Sequence, residues 1–212
     1  MKYILITALV ILIVISVGLY ILWQPIAIGH DDTPINTIMP PIQEVNDELL
    51  TFNIDLKKGR LIIIPLFKYS IKARVINKKR YGGSWDAKIS PYDLVLGWGD
   101  LANALVDDHI KFDQWGRFYF YSFDNSPYQN DYISKHSANN HIIPANDNIR
   151  RALSLIRKND LVVLNGYLVD INGVYKDKSV SWRTSTTRED TGSGSCEIIY
   201  LTNCRIGDKV FY

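Results

Sequence analysis

From Tyr3 to Trp23 nearly every residue is apolar, with only Thr7, Ser16 and Gly18 interrupting. A helix of twenty-one residues at about 1.5 Å each is roughly 30 Å long, the thickness of a bilayer's hydrocarbon core. A cleaved signal peptide has a shorter apolar core and then a small-x-small cleavage site. This stretch runs instead into Leu19, Tyr20, Ile21, Leu22 and Trp23, so residues 1–23 read as an uncleaved transmembrane signal anchor. Lys2 stands before it and Asp31 and Asp32 after it, and positive residues stay cytoplasmic. The expectation is a single-pass protein of the cell inner (plasma) membrane with a cytoplasmic N-terminus and a periplasmic domain. Its first partner is then the lipid bilayer, through residues 3–23.

Residues 24–48 hold Pro25, Pro34, Pro40 and Pro41 among polar residues and read as a linker. That leaves residues 49–212 for one extracytoplasmic domain, long enough for a hydrophobic core. Charge is uneven along the chain: residues 57–90 hold ten Lys and Arg against Asp86 alone, while residues 91–147 hold three basic and eight acidic groups. The basic segment reads as the solvated face of a strand or as a contact with an anionic polymer or headgroup layer. Cys196 and Cys204, placed on one strand, stand roughly 26 Å apart. A bridge needs Cα atoms within about 7 Å, so no intrachain disulfide is expected.

Periodicity supplies the elements. Arg60–Leu66 is a short apolar run, and Tyr69–Lys79 alternates apolar and basic residues as a half-buried strand does. Asp93–Trp98, Gly116–Phe123, Leu161–Ile171, Val180–Thr187 and Cys196–Asn203 read as further strands. Gly99–Lys111 is expected as a helix on Leu101, Leu105 and Ile110, and residues 124–145 as a long loop. Asn146-Asp147 caps a second helix that runs to about Arg157. Gly166 inside its strand marks a bulge or corner, and Asn172-Gly173 reads as a hairpin turn. About six strands with two helices suit a strand-rich α+β domain folded as a small barrel.

Two resemblances follow from particular phrases. KNDLVVLNGYLVDI and the later CEIIYLTNCRIG resemble the final strands of OB-type barrels, which implies an OB-like β-barrel. HSANNHIIPAND and STTREDTGSGSCEIIYL resemble phrases from a family of bacterial membrane-anchored proteins, a likeness that carries no activity.

Two polar clusters offer chemistry. His136, Asn139, Asn140 and His141 form one; Arg188, Asp190, Thr191 and Cys196 lie in the other, with Gly192 and Gly194 free to adopt positive φ. Two imidazoles five residues apart suit neither a helix face nor a tight chelate loop, so no metal or cofactor is expected. The first expectation is a non-catalytic binding or assembly module of the cell envelope. Its ligand surface would comprise His136, Asn139, Asn140, His141, Arg188, Asp190 and Thr191, and its partner an envelope protein or a glycan rather than nucleic acid. The alternative is a cysteine-dependent hydrolase or transpeptidase, with Cys196 as nucleophile, His136 or His141 as base and Arg188 as electrophilic stabiliser. In that layout the chain is similar to sortase-like transpeptidases, without their threonine-leucine-x-threonine-cysteine phrase at Cys196.

Overall fold

The computed structural model describes residues 2–45, 50–190, 192 and 194–212. In chain order the elements are α1 (Lys2–Trp23), β1 (Gly29–His30), β2 (Ile42–Val45), β3 (Phe52–Leu56), β4 (Gly59–Arg80), α2 (Trp85–Ile89) and β5 (Tyr92–Gly97). Then come β6 (Ile110–Trp115), β7 (Phe118–Phe123), α3 (Asn130–His136), β8 (Ser137–Pro144), α4 (Asp147–Leu155), β9 (Leu161–Tyr175), β10 (Lys178–Trp182), β11 (Glu197–Ile206) and β12 (Lys209–Phe211). The chain is thus a strand-rich α+β domain behind an N-terminal helix. From Leu5 to Trp23 that helix is long and apolar enough to cross a membrane.

β4 is the spine. It absorbs both apolar runs expected around Pro65 and pairs with β9 from Gly59 to Arg74, along the whole of β9. Pro65 has no N–H to donate, and the ladder slips by one residue between Pro65 and Phe67. β4 also pairs with β5, β5 with β8, β8 with β11 and β11 with β9, so these five strands are hydrogen-bonded in a cycle in which only β8–β11 is parallel. The main core lies on the shared face of these strands, with Ile71, Leu94, Leu96, Ile142, Leu164 and Ile199, and takes Ile149 and Leu153 from α4. β6 and β7 form a separate hairpin.

At Gly166 the backbones of β9 and β11 leave no room for a side chain. A Cβ there would meet the Tyr200 carbonyl oxygen at 2.0 Å, one step from the register shift at Leu201/Asn203. The expected bulge at this glycine is therefore an inter-strand requirement. Gly166→Ala should destabilise the domain by about 1–3 kcal/mol, because a backbone and not a flexible side chain has to move. Urea unfolding checks it, and a loss within experimental error would mean that the two strands are not in this register.

Three expectations are corrected. Gly99–Lys111 is not one helix. Two 3₁₀ turns, Gly99–Ala102 and Ala104–Asp108, are split at Asn103, whose extended backbone and side-chain bond from Leu105 N–H (3.0 Å) restart the chain. Residues 124–145 are not a loop but contain α3 and the fully buried β8, so the described residues form four α-helices where the sequence suggested an anchor and two. Asn172-Gly173 is not a turn. β9 runs through it, and the chain reverses at Lys176-Asp177, both at positive φ (51° and 59°). Gly173 instead lets β9 approach the Arg60 carbonyl, which a Cβ would meet at 2.3 Å.

The segment 24–45 is laid across the domain. β1 pairs with β12 and β2 with β4; Gly99 N–H donates to Thr37 O at 2.8 Å, and Arg205 pairs with Asp31 at 2.6 Å. The expected domain boundary at Leu49 lies outside the described residues.

Candidate active site

The register builds the site. In the β5–β8 pairing Asp93 stands directly opposite His141, so their side chains leave the same face of the sheet. In the β8–β11 pairing His141 stands opposite Ile198. With a side-chain period of two, Cys196 shares the face of Ile198 and therefore of His141. His141 Nδ1 lies 3.0 Å from Asp93 Oδ1, and Cys196, whose thiol donates to the Arg117 carbonyl at 3.9 Å, is near enough to act on the charge of the same imidazole. Trp182 covers the ring, its centroid 4.5 Å away. Asp93, His141 and Cys196 thus form a carboxylate–imidazole–thiol array, buried to 0%, 3% and 8% exposure.

A fourth charge enters from the β6–β7 hairpin. Its two-residue turn, Gly116-Arg117, has both φ angles positive (59° and 73°), as the tight hairpin turn that matches strand twist requires. The turn aims Arg117 inward. Its guanidinium reaches Asp93 at 2.6 Å, Asp86 at 2.8 Å and the Ser90 carbonyl at 3.0 Å, over the Tyr81 ring at 4.1 Å. Asn139 locks the turn: its amide donates to the Arg117 carbonyl at 2.9 Å and lies 3.7 Å from Cys196 Sγ, while its oxygen accepts from Gln114 at 2.8 Å.

Burial works against charge on His141, but Asp93 and Cys196 beside the ring outweigh it and hold its pKa up at about 9. The imidazole is therefore protonated at neutral pH. Cys204 is a different thiol: burial pushes it up to about 12, and it is an inert core residue.

Beside Cys196 opens a cavity of about 270 Å³. Phe118, Tyr119, Phe120 and Tyr121 form one wall; Ser137 and Ala138 from β8 and Arg188, Asp190, Gly192 and Ser195 from the loop before β11 form the rest. Arg188, Asp190 and Cys196 of the second polar cluster thus line the cavity, whereas from the segment 136–141 the lining residues are Ser137 and Ala138, not His136, Asn139, Asn140 or His141. Within it Arg188 pairs with the fully buried Glu197. Gly192 and Gly194 both take positive φ (80° and 93°). Thr191 lies outside the described residues.

The other candidates have structural partners. His136 ends α3, its Nδ1 2.9 Å from the Tyr132 carbonyl and its ring stacked on Tyr132 at 3.8 Å, so the imidazole at Cys196 is His141. Asn140 is buried and donates to the Leu94 and Ala138 carbonyls at 3.3 and 3.0 Å. Asp93 and Arg117 escaped the sequence reading. Their signals were a lone acid inside the apolar strand YDLVLG and an arginine directly after the turn glycine.

No protein-family model matches this chain, and no curated protein and no solved structure matches it.

Proposed function

We propose that this chain is a single-pass, membrane-anchored cell-envelope protein whose extracytoplasmic OB-type barrel carries a cysteine-dependent acyl-transfer site, acting as a hydrolase or transpeptidase. The observation that carries the chemistry is the Asp93–His141–Cys196 array beside the cavity. Asp93 orients the imidazolium, and His141, already protonated, holds Cys196 as the thiolate of an ion pair. The sulfur attacks an acyl carbonyl as the bond to the leaving group breaks, and His141 gives its proton to that group. Water or an amine then attacks the thioester, gives a proton to His141 and releases the thiolate. Arg188, in the cavity wall, is the cation for the oxyanion. The substrate is an acyl group of an envelope protein or glycan. The five-strand cycle, its single parallel pair and α4 between β8 and β9 support the barrel reading. Lys2 before α1 and the aspartates after it support a cytoplasmic N-terminus.

One observation favours the second reading, a non-catalytic binding module. The β6–β7 hairpin leaves Trp115, Phe118, Phe120 and Phe123 exposed, a surface that proteins or sugars could cover. Alkylation of the folded full chain with iodoacetamide separates the two. Cys204 is too buried to interfere. Under the enzyme reading Cys196 reacts at pH 7, and His141→Ala slows it by about tenfold or more. A thiol that stays inert until urea unfolds the domain removes the enzyme reading and leaves the binding one.

A further inference from the structure

The junction between α1 and the domain is short and clamped. Only Gln24 and Pro25 separate Trp23 from Ile26. Asn148 on α4 holds Ile26 from both sides, accepting from its N–H at 2.8 Å and donating to its carbonyl at 3.0 Å, and it also donates to the Tyr212 carbonyl at 3.1 Å. Arg151, one turn on, donates to Leu22 O at 3.3 Å, one of the α1 end carbonyls left without a helical partner. The span itself is 0% buried against the domain. The helix therefore leaves from the α4 face and packs on nothing else.

Around that exit lie apolar groups left partly exposed by the protein. Leu155 follows Arg151 by four positions and Asn148 by seven, so all three share one face of α4. Leu155 is 39% exposed, Tyr212 55%, Ile26 69% and Ile28 54%. Tyr20 and Trp23, exposed on the last turns of α1, are residue types that collect at a membrane–water interface. We infer that this face, with Ile26, Ile28, Leu155 and Tyr212 around Arg151, rests in the interfacial layer of the bilayer that α1 crosses. The inference rests on reading α1 as a membrane span. The occupant follows from continuity: a span ending at Trp23 puts its own interface against Arg151 and Leu155, where apolar side chains meet acyl chains and the guanidinium meets lipid phosphates. The domain is held in one orientation, with α4 and β12 against the membrane and the β9–β10 turn at the distal end.

Photo-crosslinking of the full chain in nanodiscs of phosphatidylethanolamine and phosphatidylglycerol tests this. Benzoylphenylalanine is placed at Ile13 in the span, at Leu155, at Tyr212 and at Ser179 on β10, and lipid adducts are read by mass spectrometry. The expected result is adducts at 13, 155 and 212 in several-fold excess over 179. Adducts at 13 with none at 155 and 212, or equal yields at 155 and 179, overturn the docking and leave a freely swinging domain. No adduct at 13 overturns the membrane span itself, and the docking with it.

Discussion

Arg117→Ala lowers the stability of the domain by about 3–5 kcal/mol, the usual cost of removing one partner from a buried ion pair. The size follows from what is left behind. Asp93 is 0% exposed and Asp86 20%, and both carboxylates point at the same guanidinium. Without it Asp93 keeps only His141, Asp86 loses its cation, the Ser90 carbonyl loses a donor, and Tyr81 loses the charge over its ring. For a domain of this size the loss is a fall in Tm of roughly 6–20 °C. Urea unfolding of the full chain in detergent, followed by tryptophan fluorescence, reads it. Arg117→Met combined with Asp93→Asn should recover part of the loss, since the deeper carboxylate is then neutral as well. A single-variant loss below about 1 kcal/mol would place the network in solvent and sink this account of it.

The second large effect is a fall in stability with rising pH. His141 has its folded pKa raised from 6.5 to about 9, so the folded state binds the extra proton between those values. The contribution is fully present below pH 6.5 and is lost as pH rises through 9. Linkage puts the total at about 3 kcal/mol, of which about half goes between pH 6.5 and 8. Lys78 acts in the opposite sense higher up. Burial lowers it from 10.5 to about 8 against the charge of Asp160, so stability rises with pH between those values. The clean window is therefore 6.5 to 8. Unfolding free energies of the wild type should fall across it, and those of His141→Gln should stay level. Parallel slopes for the two proteins would refute a charged imidazole at this site.

Where side chains alternate or a cap is spelled out, the chain announces its structure. α4 begins where Asn146-Asp147 says it should, with the Asn146 side chain accepting from Ile149 N–H at 2.9 Å. β9 and β11 follow their apolar periods. β8 hides because Ser137, Asn139 and Asn140 look like loop residues, yet all three are buried, with side chains bonded to neighbouring backbone or to Gln114. Polar composition signals exposure only when no partner waits inside, and the partners here are supplied by β5, α3 and the hairpin. The site was half legible for the same reason. A cysteine and a histidine attract notice as chemistry, and both stood among the candidates. Choosing His141 over His136 needs the register of β8, and recognising Asp93 and Arg117 needs to know that two distant turns of chain converge.

That convergence has an order in time. Asp93, Arg117 and His141 all lie before residue 145, while Cys196 directly precedes β11, the last strand of the five-strand cycle in the chain. A chain emerging from its N-terminus makes the acid, the cation and the imidazole before the sulfur exists. A product cut short before residue 196 would hold the acid, the cation and the imidazole without the sulfur. Closure of the five-strand cycle by β11 and assembly of the whole array are then a single event.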